Sequence, residues 1–287
     1  MTKLRITPLI DAVGAQVEGV DFAAPLDAGT VAQLRAAFDE RGVLVFRGID
    51  IDEDTQRRLV FSLIDDEFEV AEKTPMLVSN KVRGGAAPYG RLLFHCDNMW
   101  ARTPQPAISL YGVEVEPPGA PTQFVSMKHG WEILPGRLRK RVEGLQARHG
   151  FDEKYPNRGG DADVIDSRMT EPRSTIRPVC FRHPRTGAPL LYVSQQATIE
   201  IIGLSETENE ELLEELFGYL YRPEAILSHD WRTSDLVVWD NIATQHGRGV
   251  VDLQGPVRTL RKVTGPMNIA PDEAMKPIYS KVADEQY

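Results

Sequence analysis

Residues 94–97 read Phe94-His95-Cys96-Asp97, which places an imidazole and a carboxylate two positions apart. In an extended strand, residues i and i+2 project from the same face, so His95 and Asp97 can converge on one ion while Cys96 points away. An isolated His-x-Asp is common and is usually a hydrogen-bonded surface pair. The motif therefore predicts a strand beside a metal site only if the chain supplies a third ligand.

That third ligand is predicted at His246. It follows an apolar run at 236–240, which predicts a second strand, and a short turn. Two histidines and one carboxylate form the facial triad of non-haem Fe(II) oxygenases, which leaves coordination positions open for a cosubstrate and O₂. Four further histidines stand in polar or turn-like contexts and are interpreted as structural or surface residues: His129, His149, His183 and His229.

The sequence Arg258-Thr-Leu-Arg-Lys262-Val-Thr-Gly predicts a strand. On a period of two, Arg258 and Lys262 share a face, and Arg261 lies on the opposite one. A cation buried beside a metal is costly without an anion to pair with, so an inward Arg258 implies a carboxylate ligand.

These residues belong to a longer series of motifs that resembles the taurine dioxygenase-like (TauD/TfdA) family of Fe(II)/2-oxoglutarate-dependent oxygenases. The motifs follow the family's order over most of the chain: Gly14-Ala-Gln-Val-Glu-Gly-Val-Asp21, Gly42-Val-Leu-Val-Phe-Arg47, the His95/Asp97 pair, Thr122, His183-Pro-Arg-Thr-Gly187, Leu191-Tyr-Val-Ser194, Ile202-Gly-Leu-Ser-Glu206, Trp239-Asp-Asn241, His246 and Arg258. An ordered series of this length is hard to obtain by chance.

The resemblance implies a mainly β fold with flanking α-helices, the double-stranded β-helix or cupin-like jelly-roll. It implies that Fe(II) is held by His95, Asp97 and His246, and that 2-oxoglutarate is bound by Thr122 and Arg258. The expected reaction oxidises a small organic substrate with release of succinate and CO₂. Hydroxylation is favoured, because family members that halogenate lack the carboxylate ligand. The alternative is a non-catalytic metal-binding jelly-roll, a sensor or storage protein, which would have no need of Arg258.

The resemblance also bears on the substrate. Four residues beyond the cosubstrate arginine, relatives often have an arginine that binds the substrate's acid group, and here that position is Lys262. Lysine keeps the charge but lacks the fork of arginine, so a carboxylate is expected rather than a sulfonate. Tyr89, Arg91 and Trp100 are further candidates for substrate contacts. Many relatives have Trp and Thr where this chain has Phe94 and Cys96, so the substrate's identity stays open.

Composition sets the outer limits. The chain has 287 residues, of which 41% are hydrophobic and 26% charged, which is typical of a globular protein. One catalytic domain over 1–287 is expected, because β-rich domains of this size are common. The net charge of −9 disfavours a nucleic-acid or anionic-membrane surface. The chain is compatible with a monomer or a homo-oligomer that acts on a small-molecule substrate and O₂.

Localisation follows from two further observations. The first residues lack the apolar core of a signal peptide, and no apolar run approaches the roughly 18 residues of a membrane span. Cys96 and Cys180 are expected to be free thiols, since the composition is not that of a disulfide-stapled secreted domain. A cytoplasmic location is therefore expected.

Hydrophobic periodicity predicts the elements. Strands are predicted at 4–10, 15–20, 43–46, 107–113, 122–125, 176–182 and 190–194, and helices at 28–41, 52–64, 130–143 and 206–221. Mobile loops are expected near 70–92 and 153–174, which are Gly/Pro-rich or polar. The Gly/Pro-rich part, 83–91, is interpreted as a segment that could cover the substrate.

Overall fold

Residues 4–64, 76–150 and 174–266 are described by the structure, a computed structural model of the chain. The strands of these residues are β1 (Arg5–Pro8), β2 (Ala15–Glu18), β3 (Val43–Phe46), β4 (Met76–Ser79), β5 (Gly90–His95), β6 (Ala107–Val115), β7 (Thr122–Ser126), β8 (Gln146–Gly150), β9 (Ser174–Pro178), β10 (Cys180–Arg182), β11 (Pro189–Leu191), β12 (Thr198–Ile201), β13 (Leu227–His229), β14 (Leu236–Asp240), β15 (Thr244–Val251) and β16 (Arg258–Thr264). The helices are α1 (Ala28–Arg41), α2 (Glu53–Ile64), α3 (Met127–Ile133), α4 (Gly136–Val142) and α5 (Glu206–Leu220).

Two sheets carry the site. One has seven strands in the order β1-β2-β3-β14-β6-β16-β4, and the other has four in the order β13-β7-β15-β5. Phe124 and Leu227 of the four-stranded sheet pack in one buried cluster with Val237, Trp239 and Leu260 of the seven-stranded sheet. This core lies between the two sheets, and the arrangement confirms the predicted double-stranded β-helix.

The helices cover the outer faces. Leu236 and Val238 alternate with the inward residues of β14 and pack in a second cluster with Leu34, Phe38 and Leu59 of α1 and α2. A strand that is buried on both faces reads as a continuous apolar run, which is why β14 could be predicted from sequence. The predicted bounds of α1 are confirmed. No helix in the described ranges is long and apolar enough to cross a membrane.

The helix predicted at 130–143 is instead two helices, α3 and α4. The chain is extended at Leu134, with φ −60° and ψ 132°, and Pro135 follows. Proline lacks the N–H of the helical ladder and disfavours the α conformation at the residue before it. The single-helix prediction was therefore wrong at a position where the sequence carried the signal.

Several strands were not predicted. β4 lies inside the stretch expected to be a loop near 70–92, and β8 is polar yet pairs on both sides, with β9 and β12. The predicted strands at 176–182 and 190–194 are broken or shorter, because β10 pairs only with β11 as a separate two-stranded sheet. Of the two predicted mobile loops, the parts 70–75 and 153–173 lie outside the described residues.

Candidate active site

The two predicted histidine ligands face each other across neighbouring strands. His95 is the last residue of β5, and its register partner on β15 is His246. Their ring centroids are 4.2 Å apart. The prediction that a distant histidine joins His95 is therefore met by direct strand pairing.

Asp97 lies beyond the end of β5, in a turn, rather than on the strand predicted for it. Its Oδ1 is 3.3 Å from His95 Nε2 and 3.6 Å from His246 Nε2. Cys96 points away as predicted, with its Sγ 3.4 Å from the carbonyl oxygen of Thr244. A turn thus brings Asp97 to the two histidines. The strand alternation on which the prediction was based ends at His95.

The three groups fit a metal ion. Among the described residues they are the one cluster of His, Cys, Asp or Glu with ligand atoms close enough to share a metal, all within 4.8 Å of one another. Ligands at about 2.1 Å from an ion and at right angles lie about 3 Å apart, close to the separations of Asp97 Oδ1 from the two Nε2 atoms. His95 Nδ1 donates to the Leu93 carbonyl at 2.7 Å, which leaves Nε2 free to bind the ion.

The protonation of the cluster also suits a cation. Burial opposes the charge on Asp97, but Lys262 and the two histidines outweigh it and hold the pKa of Asp97 well below its usual range. Burial, and then the neighbouring His95, lower the pKa of His246 well below its usual value. A carboxylate and a neutral imidazole are the forms that bind metals.

Thr122 and Arg258, the two residues predicted to bind the cosubstrate, contact each other in the structure. Thr122 begins β7 and Arg258 begins β16, and Arg258 Nη2 donates to Thr122 Oγ1 at 3.1 Å. Trp231 Nε1 donates to the same hydroxyl oxygen at 2.9 Å. Because Thr122 Oγ1 already accepts two hydrogen bonds, its own O–H is left to donate to an anion.

Arg258 is 3% exposed, and within the described ranges no carboxylate lies within ion-pair distance of it. Burial, and then repulsion from Arg248, lower the pKa of Arg258 to about 9. The site therefore holds a guanidinium that is still charged at neutral pH and that an anionic ligand would stabilise.

Lys262 reaches the metal cluster, where its Nζ pairs with Asp97 Oδ2. Asp97 thus presents one oxygen to the histidines and the other to the ammonium. Arg261 lies on the opposite face, where it donates to Gln56 Oε1 at 2.7 Å and to the carbonyl of Ile51 at 2.9 Å. The facing predicted for this strand agrees with these contacts.

The three other predicted substrate residues, Tyr89, Arg91 and Trp100, flank His95 and Asp97 in the sequence. Arg91 is an exposed residue of β5, and Trp100 is buried in the turn after Asp97. Arg248 Nη2 donates to the carbonyl of Tyr89 at 2.9 Å and to that of Gly90 at 3.1 Å. The end of the Gly/Pro-rich segment is thus fixed by its backbone to β15.

The remaining histidines do not join the cluster. His229 Nε2 is 3.5 Å from Asp235 Oδ2, and its ring meets the edge of Trp231. His183 Nε2 is 3.1 Å from Asp240 Oδ2. His149 is buried against Thr198, with its pKa lowered to about 3 by burial and then by Arg177. Both cysteines are free, as expected.

Sequence reasoning missed two kinds of residue at this site. Trp231 contacts Thr122 and has no motif that identifies it, because its partner is 109 residues away. Asn241 donates to the carbonyl of Asp97 at 3.0 Å, although it stood in the Trp-Asp-Asn motif without an assigned role. Both act through contacts between segments that are distant in sequence.

A jelly-roll that brings two histidines and a carboxylate together has the fold and the ligand set of a metal-dependent oxygenase. The sequence matches the taurine catabolism dioxygenase TauD, TfdA family over residues 5–264. The chain belongs to this family and is an Fe(II)- and 2-oxoglutarate-dependent dioxygenase. This membership favours the catalytic reading over a sensor or storage protein.

Individual relatives agree with the family assignment. The chain is 30% identical over 254 residues to the (S)-phenoxypropionate/alpha-ketoglutarate-dioxygenase of Sphingobium herbicidovorans, covering 84% of this chain and 88% of the relative. It is 27% identical over 278 residues to the alpha-ketoglutarate-dependent 2,4-dichlorophenoxyacetate dioxygenase of Cupriavidus pinatubonensis, covering 90% and 96%. A crystal structure of a putative alpha-ketoglutarate-dependent taurine dioxygenase from Burkholderia xenovorans has a TM-score of 0.73 and 26% identity, covering 95% and 96%.

Proposed function

We propose that this protein hydroxylates a small organic substrate that carries a carboxylate group. The proposal is carried by one observation: the protein has both a three-ligand metal cluster and a buried guanidinium, that of Arg258, with no carboxylate partner among the described residues. Among the described residues, Arg258 donates to a carbonyl and a hydroxyl but to no carboxylate, so a bound ligand would have to supply the anion. A metal site that merely stored an ion would gain nothing from the cost of burying that cation.

In this proposal, His95, Asp97 and His246 hold Fe(II), and Arg258 with Thr122 binds the distal carboxylate of 2-oxoglutarate. Arg258 supplies the charge and Thr122 the directed O–H, whose oxygen is held by Trp231. Bound Fe(II) and 2-oxoglutarate supply the activation of O₂, with succinate and CO₂ as coproducts.

Lys262 is proposed to contact the acid group of the substrate. Its ammonium is paired with Asp97 Oδ2, so a substrate carboxylate would share it with that ligand. An ammonium has three N–H donors, which allows both contacts at once. The names of two relatives, which act on a phenoxypropionate and on 2,4-dichlorophenoxyacetate, support a carboxylate. Tyr89, Arg91 and Trp100 remain proposed contacts to the rest of the substrate.

The proposed cofactor use is tested by an anaerobic titration. Adding 2-oxoglutarate to the protein loaded with Fe(II) should produce the weak visible charge-transfer band of a chelated Fe(II)–2-oxoglutarate complex. Screening small organic acids for stimulated succinate release would then identify the substrate. Metal binding without the band would favour a non-catalytic metal protein.

The role of Lys262 is tested with paired compounds. The wild type should release succinate faster with acids than with their neutral amides or esters, and Lys262→Met should lose on the order of 10- to 100-fold of that preference, as expected for a hydrogen bond to a charged group. Because Lys262 also contacts Asp97, the Mn(II) affinity of each variant is measured in parallel. A Lys262→Met enzyme that still prefers acids would show that another residue binds the acid group.

We also propose a cytoplasmic location. The two free thiols, Cys96 and Cys180, support it, because cysteines in that compartment are kept reduced.

A further inference from the structure

A buried asparagine holds the backbone of the proposed carboxylate ligand. Asn241 is 2% exposed, and its Oδ1 accepts from the backbone N–H of Asp97 at 3.0 Å. Its Nδ2 donates to the carbonyl of Asp97 at 3.0 Å and to that of Gln105 at 3.1 Å. One side chain thus satisfies both peptide groups of Asp97.

A second buried asparagine makes the same pattern at the cosubstrate arginine. Asn80 is 2% exposed, and its Oδ1 accepts from the backbone N–H of Arg258 at 2.9 Å. Its Nδ2 donates to the carbonyls of Asp252 and Pro256 at 3.0 and 2.9 Å. These carbonyls belong to the loop that leads from β15 to β16, so Asn80 ties that loop to Arg258.

Both positions lie at the limits of regular strand pairing, where fewer ladder contacts hold the backbone. Asp97 follows the end of β5 and precedes Asn98, whose φ of +56° is unusual for a residue with a side chain. Arg258 is the first residue of β16, directly after the irregular loop. A primary amide has two donors and one acceptor in one plane, so it can replace three backbone hydrogen bonds at such a site.

We propose that Asn241 and Asn80 are separate positioning residues, one for the metal and one for the cosubstrate. Asn241 fixes the direction of the Asp97 carboxylate, and Asn80 fixes the start of β16 so that the Arg258 guanidinium reaches its anion. The proposal rests on the proposed function, since it takes the roles of Asp97 and Arg258 from it. The two asparagines therefore affect different binding steps, Asn241 that of the metal and Asn80 that of 2-oxoglutarate.

The chain offers a matched control at Asn209. This asparagine of α5 is 6% exposed, and its Oδ1 accepts from the backbone N–H of Ile201 on β12 at 2.8 Å. It is therefore a buried asparagine that clamps a strand, in a sheet that contains no residue of the proposed site. Its replacement reports the general effect of losing such a clamp.

The experiment compares Asn241→Ala, Asn80→Ala and Asn209→Ala in the full chain by calorimetry. Mn(II) is titrated first, and 2-oxoglutarate is then titrated into protein saturated with Mn(II), so that no turnover is required. Asn241→Ala should weaken Mn(II) binding by about 10- to 100-fold, the range typical of losing a partner behind a metal ligand. Asn80→Ala should weaken 2-oxoglutarate binding by roughly tenfold, the equivalent of one misaligned hydrogen bond, with Mn(II) binding near that of the wild type.

Asn209→Ala should lower the unfolding temperature without changing either affinity. If an alanine variant does not fold, the aspartate variant replaces it, because a carboxylate still accepts from the peptide N–H and loses the donated bonds. Equal losses of both affinities in Asn241 and Asn80 variants, or losses no larger than in Asn209→Ala, would overturn the proposal. His246→Ala and Arg258→Met are run alongside. If these leave Mn(II) and 2-oxoglutarate binding intact, the site assignment fails instead.

Discussion

Replacing His246 by alanine is expected to abolish substrate-dependent succinate release while leaving the protein folded. His246 Nε2 is 3.6 Å from Asp97 Oδ1, so its loss removes one of three groups around the ion. Removing even a partner behind a ligand costs 10- to 100-fold in metal affinity, and removing the ligand should cost more. The fold should survive, because β15 is paired along its length with β5 and β7 through backbone groups.

The measurement is Mn(II) affinity by calorimetry together with succinate release, and His129→Ala is the matched control. His129 lies on α3, outside the metal cluster, and its backbone N–H donates to Ser126 Oγ at 3.1 Å. Its replacement should change neither quantity. Near-normal turnover by His246→Ala with Fe(II) would mean that the third ligand is elsewhere, and His229 would be tested next.

The metal cluster shows how far sequence reasoning extends. His95, Asp97 and His246 could be named, because their residue types and the apolar runs beside them are local signals. The position of Asp97 could not be derived correctly. It depends on a turn held by Asn241, a residue 144 positions away. Strand alternation named Asp97 as a ligand and Cys96 as pointing away, although β5 ends at His95, two residues before Asp97.

Strand assignment shows the same limit. β14 and β16 were predictable, because burial on one or both faces leaves an apolar or alternating pattern. β8 reads Gln-Ala-Arg-His-Gly and has no such pattern, yet it pairs with strands on both sides. Its stability comes from partners that are remote in sequence, so a single chain without an alignment gives little sign of it.

The sequence correctly predicted which side chains of β16 lie on opposite faces, although the pairing of β16 with β6 is irregular. The register of β16 with β6 shifts between Thr259 and Leu260. A shift that displaced the β16 backbone would have turned Lys262 away from the site. Lys262 pairs with Asp97 nevertheless, and Arg261 packs over Tyr111 on the other side. The side chains of β16 still alternate regularly, because the extra residue at the register shift is Val113 of β6.

Replacing Arg258 by methionine is expected to raise the 2-oxoglutarate concentration needed for half-maximal turnover by roughly 30-fold or more. Truncating one partner of a buried charge pair costs about 2–5 kcal/mol, and the lower limit corresponds to that factor. Within the described residues, Arg258 is the buried cation bonded to Thr122, and it has no protein carboxylate to lose. The effect should therefore fall on the cosubstrate, and the Mn(II) affinity should stay close to that of the wild type.

Arg261→Met is the internal control, since Arg261 belongs to the same strand and has the same side chain. It donates to Gln56 and Ile51 and packs over Tyr111, so its loss should lower the unfolding temperature without changing the 2-oxoglutarate requirement. Measuring turnover against 2-oxoglutarate concentration and thermal unfolding for both variants separates the two roles. An equal rise in the 2-oxoglutarate requirement for both variants would contradict a direct contact between Arg258 and the cosubstrate. It would indicate that β16 as a whole had been disturbed.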